Sequence, residues 1–206
     1  MNIIQNFIYE TECKYFTSYL NLMFDSVKRK EQEFEESIRE WQAKISTEEE
    51  QADFDSFIES EAETLGIYRD LLFESFIILL YGYLEKQLED LCNRFTRKYK
   101  KVLRLSDITG KGIERARIFM EKVCGWSLPE EVLWESISHL REIRNAIVHN
   151  GGIVKISNLK NFIESQDKEE IFCYSNGKLV LTQKYCHRAI DSVFTYLLKL
   201  EESKSS

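Results

Sequence analysis

One proline and eight glycines in 206 residues leave this chain few natural breaks. Proline inside a helix removes a hydrogen bond, and glycine there costs about 1 kcal/mol against alanine, so their scarcity favours long helices with short connections. Histidine is scarce too, with three in the whole chain. The five cysteines, Cys13, Cys92, Cys124, Cys173 and Cys186, are odd in number, widely scattered and without a Cys-x-x-Cys pair. That pattern excludes a recognisable metal-ligand set and implies free thiols in a reducing cytoplasm. No basic segment followed by an apolar run opens the chain, so no secretory leader is expected. The most apolar segment, residues 71–84, is interrupted by Glu74. It is shorter than the roughly 18 apolar residues of a membrane span, so it reads as a buried core helix with no membrane role. No Gly-rich phosphate loop, His-Glu-x-x-His or Gly-x-Ser-x-Gly element is present.

Charge is unevenly placed. The net value of −7 conceals three blocks. Residues 1–90 hold 8 basic and 21 acidic side chains, residues 91–128 hold 10 and 3, and residues 129–206 hold 10 and 11. A polyanion is repelled by the first block and attracted by the second. From Glu31 to Glu63 there are 13 acidic and 2 basic residues. This stretch suits a solvated helical arm, or an acidic surface that docks a basic partner or shields a site.

Apolar spacing predicts a helix over residues 7–45, with Phe16, Tyr19, Leu20, Met23, Phe24 and Val27 recurring at three and four. Ser46-Thr47 followed by Glu50 resembles a capping box, so a second helix begins there. Gly66 is expected to break it, dividing an acidic helical extension, 1–66, from a helical domain, 67–206. A central helix over 67–103 ends with six basic residues in the eleven from Arg94 to Arg104. Arg94, Arg97, Lys98, Lys101 and Arg104, interleaved with Phe95 and Tyr99, are candidate RNA-backbone contacts. Cations late in a helix also suit its dipole. A short helix over 109–123 is capped by Gly125, and Ser127, Pro129 and Glu130 mark the next start. A loop over 153–168 leads to two short strands around Asn176-Gly177, and Thr182 caps a final helix. The expected class is all-α, a helical bundle with long N-terminal helices and one small β-hairpin before the last helix.

The stretch that carries chemistry is Arg141-Glu142-Ile143-Arg144-Asn145-Ala146-Ile147-Val148-His149-Asn150-Gly151-Gly152, at the end of a helix whose apolar side is Val132, Leu133, Ile137, Leu140, Ile143 and Ile147. Asn145 and His149 are four apart and share a face, with Glu142 on the same stripe. The Asn145 amide can orient the imidazole, and Asn150 completes the polar end. Arg144 is turned about 140° from His149 on an ideal helix, a gap its long side chain can bridge. Arginine is a permanent cation suited to phosphate oxygens, and histidine moves protons near neutral pH. RNA brings its own nucleophile, the ribose 2′-OH. Cleavage then needs a base, an acid and a cation at the phosphorane. One Arg and one His leave one proton carrier missing, and a two-fold dimer supplies it. His139 and His187 lie elsewhere and suit structural or surface roles.

Arg-Asn-x-x-x-His by chance occurs in about one chain in a hundred at average composition. Its setting, a long capped helix before it and Gly-Gly, a hairpin and a terminal helix after it, resembles the HEPN superfamily. The signature of that family is an Arg, a polar residue, a short spacer and a His closing a helix in an all-α domain. The resemblance covers residues 67–203. It implies a homodimer with juxtaposed motifs and metal-independent endoribonuclease activity, without a cofactor. Arg144 and His149 would be catalytic, and Asn145 would orient the imidazole or contact phosphate, with Glu142 and Asn150 in support. Such proteins often act as toxins or in defence against phage, which implies an antitoxin or defence-system partner. Where some members carry a modified Tyr two residues after the His, this chain has Gly151. The alternative is a non-catalytic, HEPN-like module that binds a nucleotide or a protein.

Overall fold

The computed structural model describes residues 3–100 and 103–203. Six helices and one hairpin follow in order: α1 Ile3–Gln42, α2 Glu48–Lys98, α3 Gly112–Lys122, α4 Glu131–Asn150, α5 Ser157–Ser165, β1 Ile171–Cys173, β2 Leu179–Leu181 and α6 Gln183–Ser203. The protein is an all-α bundle with a small antiparallel hairpin before its last helix. At 1.5 Å per residue, α1 is about 60 Å long and α2 about 75 Å.

Local chemistry explains most boundaries. Thr47 accepts a hydrogen bond from the Glu50 amide at 3.2 Å, and the Glu50 carboxylate accepts from the Thr47 amide at 3.0 Å. This capping box starts α2 where its residues predict. The break expected at Gly66 is absent, and α2 runs through it. One glycine costs about 1 kcal/mol in a helix interior, far less than the packing of the flanking turns provides. The first half of α1 also enters the core, burying Tyr9 and Leu20 beside the rest of the bundle.

Beyond that point α1 and the start of α2 brace each other. Trp41 packs on Phe57 at 4.8 Å and on Phe54 at 5.6 Å, while Phe34 meets Phe57 edge-on. Glu31 pairs with Arg69. Thus the acidic stretch is helical, and its few large apolar groups zip its two helices together.

The main core lies where α2 meets α1, α4 and α6, through side chains such as Phe76, Leu80, Leu84, Ile143, Val193 and Leu197. α4 begins at Glu131 rather than at Ser127. Leu128 precedes Pro129, and that position is sterically barred from helical backbone, so the cap moves downstream. Val132 is consequently 70% exposed instead of facing the core. The expected loop over 153–168 contains α5, whose Leu159 and Ile163 are buried. The hairpin pairs Ile171 with Leu181, Phe172 with Val180 and Cys173 with Leu179 around the predicted Asn176-Gly177 turn. Thr182 accepts from the Tyr185 amide at 3.4 Å and donates to the Glu170 carbonyl at 2.8 Å, joining hairpin to α6. Among the described residues, no disulfide joins the cysteines. Among the described residues, no helix is long and apolar enough to cross a membrane.

The segment expected to be a fully buried core helix is buried on one side only. Phe73, Phe76, Ile77 and Leu80 face the core, but Leu71 and Leu79 are 58% and 49% exposed, and Ile67 and Ile78 also reach the surface. Gly82 lies on this outer side, and a Cβ there would touch nothing within 4 Å. α2 therefore carries apolar residues on a face that its own chain leaves uncovered.

His139 stacks on Phe162 of α5, ring centroids 3.7 Å apart and planes 17° from parallel. Burial holds this imidazole below its ordinary value, against the opposing pull of Glu142 and Glu135 and with a smaller push from Arg188. The unfolded chain therefore binds the proton more readily. This contribution to stability is complete above the ordinary histidine value of about 6.5 and is lost as pH falls through the window below it. Urea midpoints taken near pH 7.5 and pH 5 should fall less in His139→Phe than in the parent protein.

Candidate functional site at the end of α4

α4 ends on two left-handed glycines, Gly151 at φ 60° and Gly152 at φ 78°. The Gly152 amide donates to the Ala146 carbonyl at 3.0 Å, closing the last turn. The chain then runs beside β2, where the Leu179 amide donates to the Gly152 carbonyl at 2.9 Å. Lys178 ties the corner together. Its ammonium donates to the Gly151 carbonyl at 3.2 Å and pairs with Glu74 of α2 at 2.5 Å. A Cβ on Gly152 would lie 2.6 Å from the Lys178 Nζ and 2.9 Å from the Glu74 Oε1. Gly152 is thus required both by its backbone angle and by a half-buried ion pair. Gly152→Ala should destabilise the protein by about 1–3 kcal/mol, read as a lower denaturant midpoint, because left-handed alanine is strained and the pair must separate.

Arg144 faces α2. Its guanidinium carbon lies 5.5 Å from the Tyr81 ring centroid, and Nη1 donates to the Asn145 Oδ1 at 3.0 Å. Its Nε is buried without a hydrogen-bond partner among the described residues, as is the Glu142 Oε2. Burial, then Glu85, pushes the Tyr81 hydroxyl up to about 12, while Arg141 and Arg144 pull it down. Tyr81 is therefore a neutral platform at working pH. Arg141 pairs with Glu114 of α3, and Arg117 of α3 lies 4.4 Å over Trp134 and pairs with Glu131 at 2.7 Å. These contacts lock α4 against α3 upstream of the motif.

His149 is exposed on the far side of the same turn. Among the described residues it has no hydrogen-bond or ion-pair partner. The Asn145 carbonyl oxygen that was expected to orient it is engaged by Arg144 instead. Asn150 is half-buried at the last helical position. Hence Arg144 and Asn145 meet within one chain, while His149 is turned away from Arg144, as the 140° offset requires.

The basic stretch is only partly available. Arg94 turns its guanidinium to Gln5 of α1 at 2.9 Å. It lies beside Tyr9, whose hydroxyl is pushed up by burial and then by Glu201. That contact was invisible in the sequence, because it joins α1 to α2 across 89 residues. Arg97, Lys98 and Arg104 are exposed. Arg97 is drawn toward the Asn93 carbonyl at 3.4 Å, and Lys98 lies 5.1 Å from the Tyr99 ring. Lys101 falls outside the described residues. Residues 94–98 are about 20–25 Å along α2 from Tyr81. The cations and the motif are thus separate regions of one face or edge, not one cluster. His187 is held by Asn21 at 3.1 Å, a structural contact. No group of three or more His, Cys, Asp or Glu positioned to hold a metal occurs among the described residues.

No family model, no curated protein and no solved structure matches this chain.

Proposed function

We propose that the protein is a metal-independent endoribonuclease of HEPN type, acting as a homodimer in toxin or anti-phage defence roles. The observation that carries this reading is the disposition of three side chains on the last two turns of α4. Arg144 is a partly satisfied cation over an aromatic ring, Asn145 is bonded to it, and His149 stands exposed and unpartnered at the open end. A guanidinium carries a permanent charge that favours an oxygen anion, and phosphate is the natural one.

In this reading Arg144 holds the scissile phosphate and neutralises charge as the 2′-oxygen attacks phosphorus. One His149 takes the 2′-OH proton. The His149 of a second copy gives a proton to the departing 5′-oxygen. The products are a 2′,3′-cyclic phosphate and a 5′-hydroxyl. A single chain offers one imidazole facing away from its arginine, so pairing of two copies is required. The uncovered α2 face of Ile67, Leu71, Ile78 and Leu79, beside Tyr81, suits that contact, and Gly82 permits close approach of another helix.

The deciding assay incubates purified protein with single-stranded RNA in excess chelator and identifies the new ends. Cyclic phosphate ends are expected. Intact RNA, or only 3′-hydroxyl ends, rejects the reading. A second reading, a nucleotide-binding module without catalysis, draws on the engagement of Arg144 by Tyr81 and Asn145 within one chain. It predicts nucleotide binding with no cleavage in the same assay.

A further inference from the structure

A concave pocket of about 340 Å³ lies between α5 and the hairpin. Ile163, buried in the core, is among its lining residues. Tyr174 is 57% exposed at its rim and is braced by Phe172, edge-on at 89° with centroids 5.6 Å apart. Two cations complete the lining, Lys160 and Lys168. The carboxylates near Lys168 are committed elsewhere. Asp167 pairs with Lys184 at 2.9 Å, Glu170 with Arg188 at 2.9 Å, and Glu169 lies 3.7 Å from Lys184. Lys168 has no ion-pair partner among the described residues. Glu164 is the acidic member of the lining, 3.8 Å from Lys160.

A braced aromatic ring, an apolar floor and paired lysines are what a single-stranded nucleotide needs. Bases stack on aromatic rings, and cations follow the phosphates. The volume lies within the range of small-ligand sites. A carboxylate accepts hydrogen bonds from base amino groups, which suits Glu164 to the base rather than to the phosphate.

Position relates the pocket to α4. The chain just past the motif hydrogen-bonds to β2 through Gly152 and Leu179, and Leu179 pairs with Cys173 of β1. The chain past the motif pairs with the edge of β2, and β2 pairs with β1, so the pocket edge lies about 10 Å, two strand spacings, from the end of α4. A short run of extended RNA spans that interval. We propose that this pocket holds one base of single-stranded RNA a short distance from the scissile linkage, with Tyr174 stacking on the base and Lys168 and Lys160 meeting its phosphates. The placement relative to the cut rests on the nuclease reading above; the pocket chemistry does not.

The test uses the full chain and a fluorescent, non-cleavable 2′-O-methyl RNA dodecamer, followed by anisotropy. Tyr174→Ala should weaken binding by about tenfold or more, and Tyr174→Phe should stay within about twofold of the parent. The double variant Lys160→Ala with Lys168→Ala should flatten the slope of log affinity against log salt by roughly 1.4, the value for two single-strand phosphate contacts. Thermal melts of each variant establish that the fold persists. Parent-like binding by folded Tyr174→Ala overturns the subsite, and so does tighter binding of duplex than of single-stranded RNA. If the parent cleaves RNA while Tyr174→Ala binds and cleaves normally, the nuclease reading stands and the subsite falls. If binding depends on Tyr174 but no cleavage occurs, the subsite stands and the nuclease reading falls.

Discussion

His149→Ala is expected to lower RNA cleavage by about 10⁴-fold or more. In a two-fold dimer one substitution removes both imidazoles, hence both the base and the acid, and each is typically worth about 10²–10⁴ in rate. The loss should fall on turnover rather than on RNA binding, because in the proposed mechanism Arg144 holds the phosphate. Stability should hardly change. His149 is exposed and has no partner among the described residues, and surface substitutions of this kind usually stay within about 0.5 kcal/mol. Equal cleavage by the variant and the parent, in chelator and with matched melting curves, would remove His149 from the chemistry.

Leu71→Glu combined with Ile78→Glu should convert a dimer to a monomer and reduce cleavage by about 10²-fold or more. Both side chains lie on the outer face of α2, four and seven positions from neighbours of the same character, and neither contributes to the buried core. A pair of these faces removes apolar surface from water at about 25 cal/mol per Å², and four introduced carboxylates in the contact reverse that gain. A monomer retains Arg144 on Tyr81 but has a single imidazole, so one proton transfer loses its carrier. Sedimentation velocity reads the mass, and the cleavage assay reads the rate. A variant that remains dimeric places the contact elsewhere. A monomeric variant with full activity shows that one copy suffices, and the shared-site mechanism then fails.

Several elements were legible in the residues because their causes are local. Thr47 and Glu50 satisfy each other across one turn, Asn176-Gly177 supplies the backbone angles of a tight hairpin, and Thr182 caps the helix that follows it. The α5 helix was also signalled, by Leu159, Phe162 and Ile163 at three and four residue spacing, within a stretch otherwise read as loop. The late start of α4 follows from Pro129 acting on Leu128, a steric rule that outweighs the capping signal of Ser127.

Other outcomes depended on distant residues. Gly66 is carried through because both flanking turns of α2 are anchored in packing. Arg94, one of five candidate cations, is exposed but engaged by Gln5 of α1. Leu71, Ile78 and Leu79 read as core by composition, yet the single-sided packing of α2 leaves them outside.

Composition and spacing alone determined that the chain is helical, that its acidic and basic blocks are distinct, and that Arg144, Asn145 and His149 close one helix. Those properties follow from bonds and repulsions between residues a few positions apart. Only the tertiary structure decided which way each side chain points: Arg144 inward onto Tyr81, His149 outward, Lys178 across the corner to Glu74, and one apolar face of α2 left bare. Those choices depend on which helices cross and at what rotation, and burial sets them across separations that no local pattern encodes.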